Sequence, residues 1–205
     1  MTSLASVTLE VTDPSAAAQF HKEAFGLDAS TLRLRASESA SAGFRGFTLA
    51  LTVSQPADVD ALFASALAAG ATALKPAEKS LWGYGGVLRA PDGTIWKVAT
   101  SAKKDSGPAT RNIDETVLLL GVEDVKASKQ FYVGQGLTAG KSFGGTYTEF
   151  KADDSSPVKL ALYKRRGLAK DLGVDAEGSG SHCIVLGSTG AAFTDPDGFA
   201  WETGA

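Results

Sequence analysis

The sequence predicts an α+β fold in which one strand–helix unit occurs twice in tandem. Three observations support this prediction. Residues 11–21 match residues 122–132 without a gap, and residues 90–97 match residues 195–202, in the same order within each half. Between the two halves lies a polar segment broken by Gly and Pro, residues 103–112, which is typical of a linker. Recurrence of two different motifs in one order indicates a duplicated chain.

The first unit begins with a strand and continues into a helix. Ser6–Val11 alternates and is rich in β-forming residues, which favours a strand. Asp13 is a favoured N-cap and Pro14 a favoured first helical residue, so a helix is expected to begin there. Gly26 is placed to end it as a C′ glycine. Helical spacing on one face is kept by Ala17, Phe20 and Ala24.

A second strand–helix pair follows in the first half. Phe47–Val53 is the expected strand, and Ala57–Ala69 is an Ala-rich expected helix closed by Gly70. Further on, two apolar runs flank a Pro-Asp-Gly turn, residues 83–89 and 94–99. Asp-Gly between alternating apolar runs is a strong hairpin signal.

The last module of the second half is predicted to be abbreviated. His182–Leu186 has the pattern of a strand, but only six residues separate Leu186 from Phe193. A helix does not fit into that interval, so this module is expected to keep its first strand and closing hairpin and to lack the helix. The sheet face left uncovered would need the first half or a second subunit to cover it.

The order of these landmarks resembles the vicinal-oxygen-chelate superfamily, which includes glyoxalase I, bleomycin-resistance proteins and extradiol dioxygenases. The resemblance rests on the βαβββ pattern, the Phe-(His/Tyr) pair late in the helix, the Gly-Leu pair after it and Asp-Pro-Asp-Gly before Phe-Ala-Trp-Glu. It implies tandem βαβββ modules that form two glyoxalase-like domains with cupped mixed β-sheets around a pocket. The expected division is residues 1–102, a linker at 103–112, and residues 113–205.

The resemblance also implies up to four metal-ligand positions, on the first strand and near the end of each module. His182 and Glu202 match two of these positions in the second half. The third is occupied by Val117, with Glu115 two residues upstream, and strand 158–163 offers no carboxylate at the fourth. The first half offers poor ligands throughout, namely Ser6, Thr48 and Lys97. The sequence therefore predicts no cofactor, and the alternative is a divalent Zn, Ni, Mn or Fe ion on His182 and Glu202.

Aromatic residues near glycine-rich segments are the candidates for a ligand pocket, because such pockets are mainly apolar and aromatic. The predicted ligand-binding residues are Trp82, Tyr84, Phe143, Tyr147 and Arg165. Arg165 belongs to the cationic segment 163–171, which is expected to be a solvated loop or to hold an anionic ligand group. Trp96 and Trp201 occupy equivalent hairpin positions and are expected to share a structural role. His21 is expected to pack at the domain edge.

Composition limits the classes of function. The 205 residues carry a formal net charge of −3 without a basic stripe, so nucleic acid is a poor candidate partner. The longest apolar runs fall short of membrane-spanning length, and residues 1–6 lack the charged and apolar pattern of a signal peptide. The single cysteine, Cys183, fits a reducing cytoplasm, so a cytoplasmic location is expected. The chain is expected to act as a monomer with two domains or as a homodimer.

The function predicted from these observations is metal-free binding of a small aromatic or planar molecule in a β-sheet cleft. One alternative is a divalent-metal-dependent lyase, isomerase or dioxygenase that uses His182 and Glu202. Another is an interaction module in which the duplicated fold serves as a scaffold. Metal content, measured without chelator, distinguishes the enzyme from the binder.

Overall fold

The chain folds into four successive modules, which a computed structural model describes over residues 2–153 and 156–204. The elements of the first half are β1 (Leu4–Val11), α1 (Pro14–Phe25), β2 (Arg33–Ala36), β3 (Ser41–Gly43), β4 (Phe47–Thr52), α2 (Pro56–Ala68), β5 (Thr72–Ser80), β6 (Gly83–Arg89) and β7 (Ile95–Thr100). Those of the second half are β8 (Glu115–Val122), α3 (Val125–Gly134), β9 (Ala139–Phe143), β10 (Tyr147–Phe150), β11 (Lys159–Lys164), α4 (Arg165–Leu172), β12 (Gly178–Gly180), β13 (Ile184–Ser188), β14 (Phe193–Thr194) and β15 (Ala200–Thr203). This mixed architecture confirms the predicted fold class.

The ends of α1 follow the signals in the sequence. The Asp13 carboxylate accepts a hydrogen bond from the backbone N–H of Ala16 at 3.0 Å, which satisfies one of the free donors of the first turn. Gly26 ends the helix with φ of +72°, a left-handed conformation that costs little without a Cβ. The repeat preserves the first of these devices, because Asp124 caps α3 in the same way.

The second module (β4 to β7) and the third module (β8 to β11) share one eight-stranded sheet, in the order β5-β6-β7-β4-β8-β11-β10-β9. Strands β4 and β8 pair antiparallel at its centre, with Ala50 opposite Val117. Within each module the first strand runs parallel to the last, β4 beside β7 and β8 beside β11. The sheet therefore joins the two halves of the sequence across residues 103–112.

The first module (β1 to β3) and the fourth module (β12 to β15) share a five-stranded sheet, in the order β14-β15-β13-β1-β2. The fourth module has a first strand and a closing hairpin without a helix, as the sequence predicts. The first module is also abbreviated, because it contributes only β1 and β2 to this sheet. Its remaining strand, β3, pairs with β12 in a separate two-stranded ribbon.

A single large hydrophobic core joins both sheets to α1, α2 and α3. Trp96 and Trp201 are fully buried in it at equivalent positions, which confirms their expected shared role. His21 is only 3% exposed, so the expectation that it packs at an edge is wrong. Its ring centroid lies 5.4 Å from that of Trp96, because this face of α1 packs against the closing hairpin of the second module.

Side chains at the start of α2 fix the segment between the halves. The Gln55 side-chain oxygen accepts from the backbone N–H of Ser106 at 2.8 Å. The buried Asp58 carboxylate accepts from the backbone N–H groups of Thr110, at 2.6 Å, and Arg111, at 3.3 Å. Residues 103–112 are therefore held along α2 by hydrogen bonds.

The cationic segment after β11 forms the helix α4, so the expectation of a solvated loop is wrong. Leu168, Ala169 and Leu172 are buried on one side of this helix, at spacings that place them on one face. Burial of this apolar face explains why the segment is helical despite four basic residues between Lys164 and Lys170. None of the described helices has the length and apolar character that are needed to cross a membrane.

Candidate functional site

The candidate site lies on the inner face of the eight-stranded sheet, defined here as the face opposite α2 and α3. Alternation along the strands sends Leu49, Leu118 and Trp96 to the main core, and their neighbours Thr48, Val117 and Lys97 to the inner face. Helix α4 covers part of this face. Its apolar side forms a second hydrophobic cluster on the sheet with Phe44, Val87 and Ile95.

Two lysines of the sheet hold the C-terminal end of α4. The Lys97 ammonium forms an ion pair with the Asp171 carboxylate at 2.5 Å, with both side chains partly exposed. The Lys75 ammonium donates to the backbone carbonyls of Lys170, at 3.0 Å, and Asp171, at 2.6 Å. A positive charge beside the last carbonyls of a helix is favourable for the helix dipole. The sequence patterns did not predict a role for Asp171. The spacing of Leu168 and Leu172, four residues apart, was the available signal that this segment is a helix.

The strand register allows a test of whether the inner face fits a divalent cation. The family positions on this sheet are Thr48, Lys97, Val117 and the β11 residue Ala161, which pairs with Leu119. Their side chains are a hydroxyl, an ammonium and two apolar groups. Divalent ions in proteins are bound by carboxylate, imidazole or thiolate groups, and an ammonium repels them. This donor set does not fit a divalent cation.

His182 lies outside the strand predicted for it. Strand β13 begins at Ile184, because Cys183 has φ of +54° and breaks the extended backbone. Both ring nitrogens of His182 face backbone carbonyl oxygens, that of Arg45 at 2.6 Å and that of Asp197 at 3.1 Å. The ring stacks on Phe199 with centroids 4.1 Å apart. These contacts are those of a histidine that ties three backbone segments together.

Glu202 lies on β15 and pairs with Gly187 of β13. Gly187 is five residues after His182 in the sequence. Its carboxylate accepts from the Arg35 guanidinium at 3.0 and 3.2 Å, and Arg35 also binds Glu10 at 3.0 Å. The structure thus gives His182 and Glu202 separate partners. Among residues 2–153 and 156–204, no group of three or more His, Cys, Asp or Glu side chains is arranged to hold a metal ion.

Four of the five predicted ligand-binding residues line three different cavities, and the fifth, Phe143, packs against Tyr147. Trp82 and Tyr84 line a cavity of about 220 Å³ on the inner face, together with Lys75, Lys97 and Asp171. The Trp82 ring is 84% exposed at the β5–β6 turn. The Tyr84 hydroxyl donates to Asp60 at 2.7 Å, and this hydrogen bond together with burial raises the pKa of Tyr84 to about 12. Its phenol therefore remains protonated at neutral pH and, because Asp60 belongs to α2, it lies on the face of the sheet opposite this cavity.

Phe143 and Tyr147 lie at the other end of the same sheet. Their ring centroids are 5.8 Å apart, and the Phe143 ring is 65% exposed. Tyr147 lines a polar cavity of about 340 Å³ that also contains Glu115, Lys141, Glu149, Lys151 and Lys159. Burial, with the nearby Glu149 carboxylate, raises the pKa of Tyr147. This cavity has fewer apolar walls than a pocket for an aromatic molecule requires.

Arg165 lines the third cavity, of about 490 Å³, which also contains His182. Its guanidinium donates to the backbone carbonyls of Ala176 and Phe44, each at 2.9 Å, and stacks over the Phe44 ring. Four acidic residues also line this cavity, together with Arg166 and small residues, and they are Glu123, Asp124, Glu177 and Asp197. The guanidinium contacts identify Arg165 as a residue that fixes α4 to neighbouring loops.

The glycines around Trp82 have a structural explanation. A Cβ at Gly83 would lie 2.0 Å from the carbonyl oxygen of Thr100, and one at Gly86 would lie 2.6 Å from the ring of Phe63. Side chains at these positions are excluded by the closeness of neighbouring elements. Gly85, where a Cβ would lie 2.7 Å from the carbonyl oxygen of Val98, leaves bare backbone in the wall of the cavity, which a planar group can approach closely.

Comparison with known proteins identifies the fold. Residues 6–99 match the family model described as a glyoxalase-like domain. Glyoxalase I from Zea mays is 14% identical with a TM-score of 0.62, over 99% of this chain and 92% of that chain. A point mutant of the same enzyme is 15% identical with a TM-score of 0.61 and the same coverages. A putative dioxygenase from Bacillus subtilis subsp. subtilis str. 168 is 10% identical with a TM-score of 0.57, over 98% and 84%.

The protein therefore has a tandem glyoxalase-like fold. The predicted resemblance to the vicinal-oxygen-chelate superfamily is confirmed at the level of the fold, with a glyoxalase-like domain matched over residues 6–99 and the architecture of glyoxalase I over nearly the whole chain. Curated proteins gave no match to the sequence. At these identities the structural likeness defines the fold alone, and the function must be argued from the site.

Proposed function

We propose that this glyoxalase-like protein binds a small aromatic or planar molecule without a metal, in the inner-face cavity lined by Trp82 and Tyr84. One observation carries the proposal. This cavity joins the exposed Trp82 indole to the ion pair of Lys97 with Asp171. A planar ring can stack on Trp82, while the ion pair supplies one donor and one acceptor that orient its polar groups.

The size of the cavity limits the ligand. Its volume of about 220 Å³ is below the range of roughly 300–1,000 Å³ for drug-sized ligands. A molecule with one aromatic ring and a short polar substituent matches this space. The phenol of Tyr84 donates to Asp60 of α2 on the other face of the sheet, so Trp82, Lys97 and Asp171 are the side chains proposed to contact the ligand.

The charge of the site supports metal-free binding. Lys97 lies at the position where the superfamily resemblance implies a glutamate ligand, and Asp171, the nearest carboxylate, is neutralised by that lysine. Recruitment of a dication would require this ion pair to break and an ammonium to remain beside the metal, which is electrostatically unfavourable.

Ligand-detected NMR with 4-nitrobenzoate as the probe tests the proposal. Saturation transferred from the protein to this planar, single-ring anion should be seen with the native chain and lost with Trp82→Ala. Phe143→Ala is the matched control, because it removes another exposed aromatic ring, from the other end of the sheet. Equal transfer to all three proteins, or none to the native chain, would overturn the assigned cavity.

Metal analysis separates binder from enzyme. The native chain purified without chelator should contain Zn, Ni, Mn and Fe far below one equivalent, and His182→Ala should not change this. One equivalent of any of these metals, lost in both His182→Ala and Glu202→Gln, would favour the metal-dependent lyase, isomerase or dioxygenase instead.

A further inference from the structure

A buried hydrogen-bond network distinguishes the second half of the chain. The Tyr132 hydroxyl donates to the Asp195 carboxylate at 2.5 Å and accepts from the Trp201 indole N–H at 3.3 Å. All three side chains are buried. Burial and the nearby carboxylate raise the pKa of Tyr132, so the phenol keeps its proton and the network is complete.

The first half has the same packing without the groups that complete the network. His21 occupies the position of Tyr132, and Trp96 that of Trp201, in the internal repeat. The His21–Trp96 ring centroids are 5.4 Å apart, against 5.5 Å for Tyr132–Trp201. The rings are therefore arranged alike. An imidazole is shorter than a phenol, however, and Ala90 replaces the carboxylate of Asp195.

Four buried polar atoms lack a hydrogen-bond partner among the described residues, and all four belong to this region of the first half. They are His21 Nε2, Trp96 Nε1, Thr94 Oγ1 and Asp92 Oδ2. Three of them lie on the turn and strand that correspond to the Asp195–Trp201 segment. Asp92 is close enough to His21 for its charge to raise the pKa of the imidazole, against the larger lowering by burial. Buried polar groups in native proteins are normally satisfied by protein or by ordered water.

We propose that one buried water molecule occupies the position of the missing Tyr132 hydroxyl and binds His21 Nε2 and Trp96 Nε1. The indole N–H can only donate, so the occupant must accept. The Asp92 carboxylate can only accept, so an occupant that also reaches Asp92 must donate. A halide fails the second condition and an ammonium ion fails the first, whereas water meets both. Two to four polar partners are what a buried water requires.

This site is independent of the proposed ligand cavity, because Trp96 and Lys97 point to opposite faces of β7. The two halves thus satisfy the buried indole N–H of equivalent tryptophans in two different ways. In one half the protein supplies its own hydroxyl, and in the other a solvent molecule replaces it.

A crystal structure of the native chain at a resolution that defines solvent, together with NMR of the indole N–H groups, tests the proposal. We expect a solvent peak within about 3.2 Å of both His21 Nε2 and Trp96 Nε1. In solution, the Trp96 indole N–H should show a cross-relaxation peak to a long-lived water. The Trp201 indole N–H is the internal control and should show none, because it donates to Tyr132.

The double variant His21→Tyr/Ala90→Asp should complete the network with protein atoms and abolish the Trp96–water peak, leaving the Trp201 resonance unchanged. Persistence of that peak in the folded variant, or lack of solvent density between His21 and Trp96 in the native crystal, would overturn the proposal. Should the variant fail to fold, the native crystal structure decides alone.

Discussion

Asp58 offers a sharp test of the claim that residues 103–112 are fixed to α2. Its carboxylate is 1% exposed and accepts from the Thr110 N–H at 2.6 Å, the Thr110 hydroxyl at 3.2 Å and the Arg111 N–H at 3.3 Å. A hydrogen bond to a charged group contributes roughly 1.5–3 kcal/mol, and only the first of these three is short. We expect Asp58→Ala to lower the free energy of unfolding by about 2–4 kcal/mol.

Chemical denaturation and calorimetry measure this effect. For a chain of this size, 1 kcal/mol changes Tm by roughly 2–4 °C, so Asp58→Ala should lower Tm by about 5–15 °C. Asp58→Asn keeps an acceptor oxygen and should lose about half as much. The exposed Glu38→Ala is the control, with an expected change within about 0.5 kcal/mol. If Asp58→Ala proved as stable as Glu38→Ala, the linker contacts would contribute nothing and the reasoning would fail.

The same residue should give an acid-dependent signal. Burial raises the pKa of Asp58, but the hydrogen bonds from Thr110 and Arg111 outweigh it and leave the pKa below its ordinary value of 3.8. A carboxyl with a lowered folded pKa stabilises fully above its unfolded pKa, and this contribution is lost as pH falls through the folded pKa. The stability difference between native and Asp58→Asn should therefore be constant near neutral pH and shrink below about pH 4.

Three further predictions follow from other contacts. Burial lowers the pKa of His21 from 6.5, so the native chain should lose stability as pH falls below 6.5, and His21→Tyr should show a flatter profile in denaturation from pH 8 to pH 5. Tyr132→Phe leaves the buried Asp195 carboxylate without its 2.5 Å donor and should cost about 2–4 kcal/mol, against under about 1 kcal/mol for Tyr84→Phe at a more exposed phenol. Arg35→Ala breaks exposed ion pairs to Glu10 and Glu202 and should change stability by less than about 1 kcal/mol, a difference that vanishes in high salt.

Local features of the fold were predictable from the sequence because their causes are local. The α1 cap at Asp13, its end at Gly26 and the hairpin around Pro91 each depend on neighbouring residues only. Helix α4 was not predicted, because its sequence is dominated by basic residues. Its apolar face is stabilised by packing on sheet residues that are distant in sequence. The pairing of the second module with the third depends on contacts between strands distant in sequence, which residue patterns do not encode.

The candidate site was predictable in its residue types and not in its geometry. The aromatic candidates were recognised, but strand order separates Trp82 and Tyr84 from Phe143 and Tyr147 at opposite ends of one sheet. The expected strand placement of His182 failed because the backbone of Cys183 is left-handed, a conformation that non-glycine residues seldom adopt and that no sequence pattern announces.

The charges at the two equivalent closing positions, Lys97 and Glu202, have opposite signs, and each is matched by a partner from elsewhere in the chain. Lys97 pairs with Asp171 of α4, and Glu202 pairs with Arg35 of the first module. A single change of Lys97 to glutamate would place a second carboxylate beside Asp171 and would leave Lys75 to hold the end of α4. The helix that covers the inner face and the charge at the closing position of β7 are thus linked through one ion pair. The ammonium of Lys97, which would repel a divalent cation, is therefore also one of the two that hold the end of α4 over the sheet.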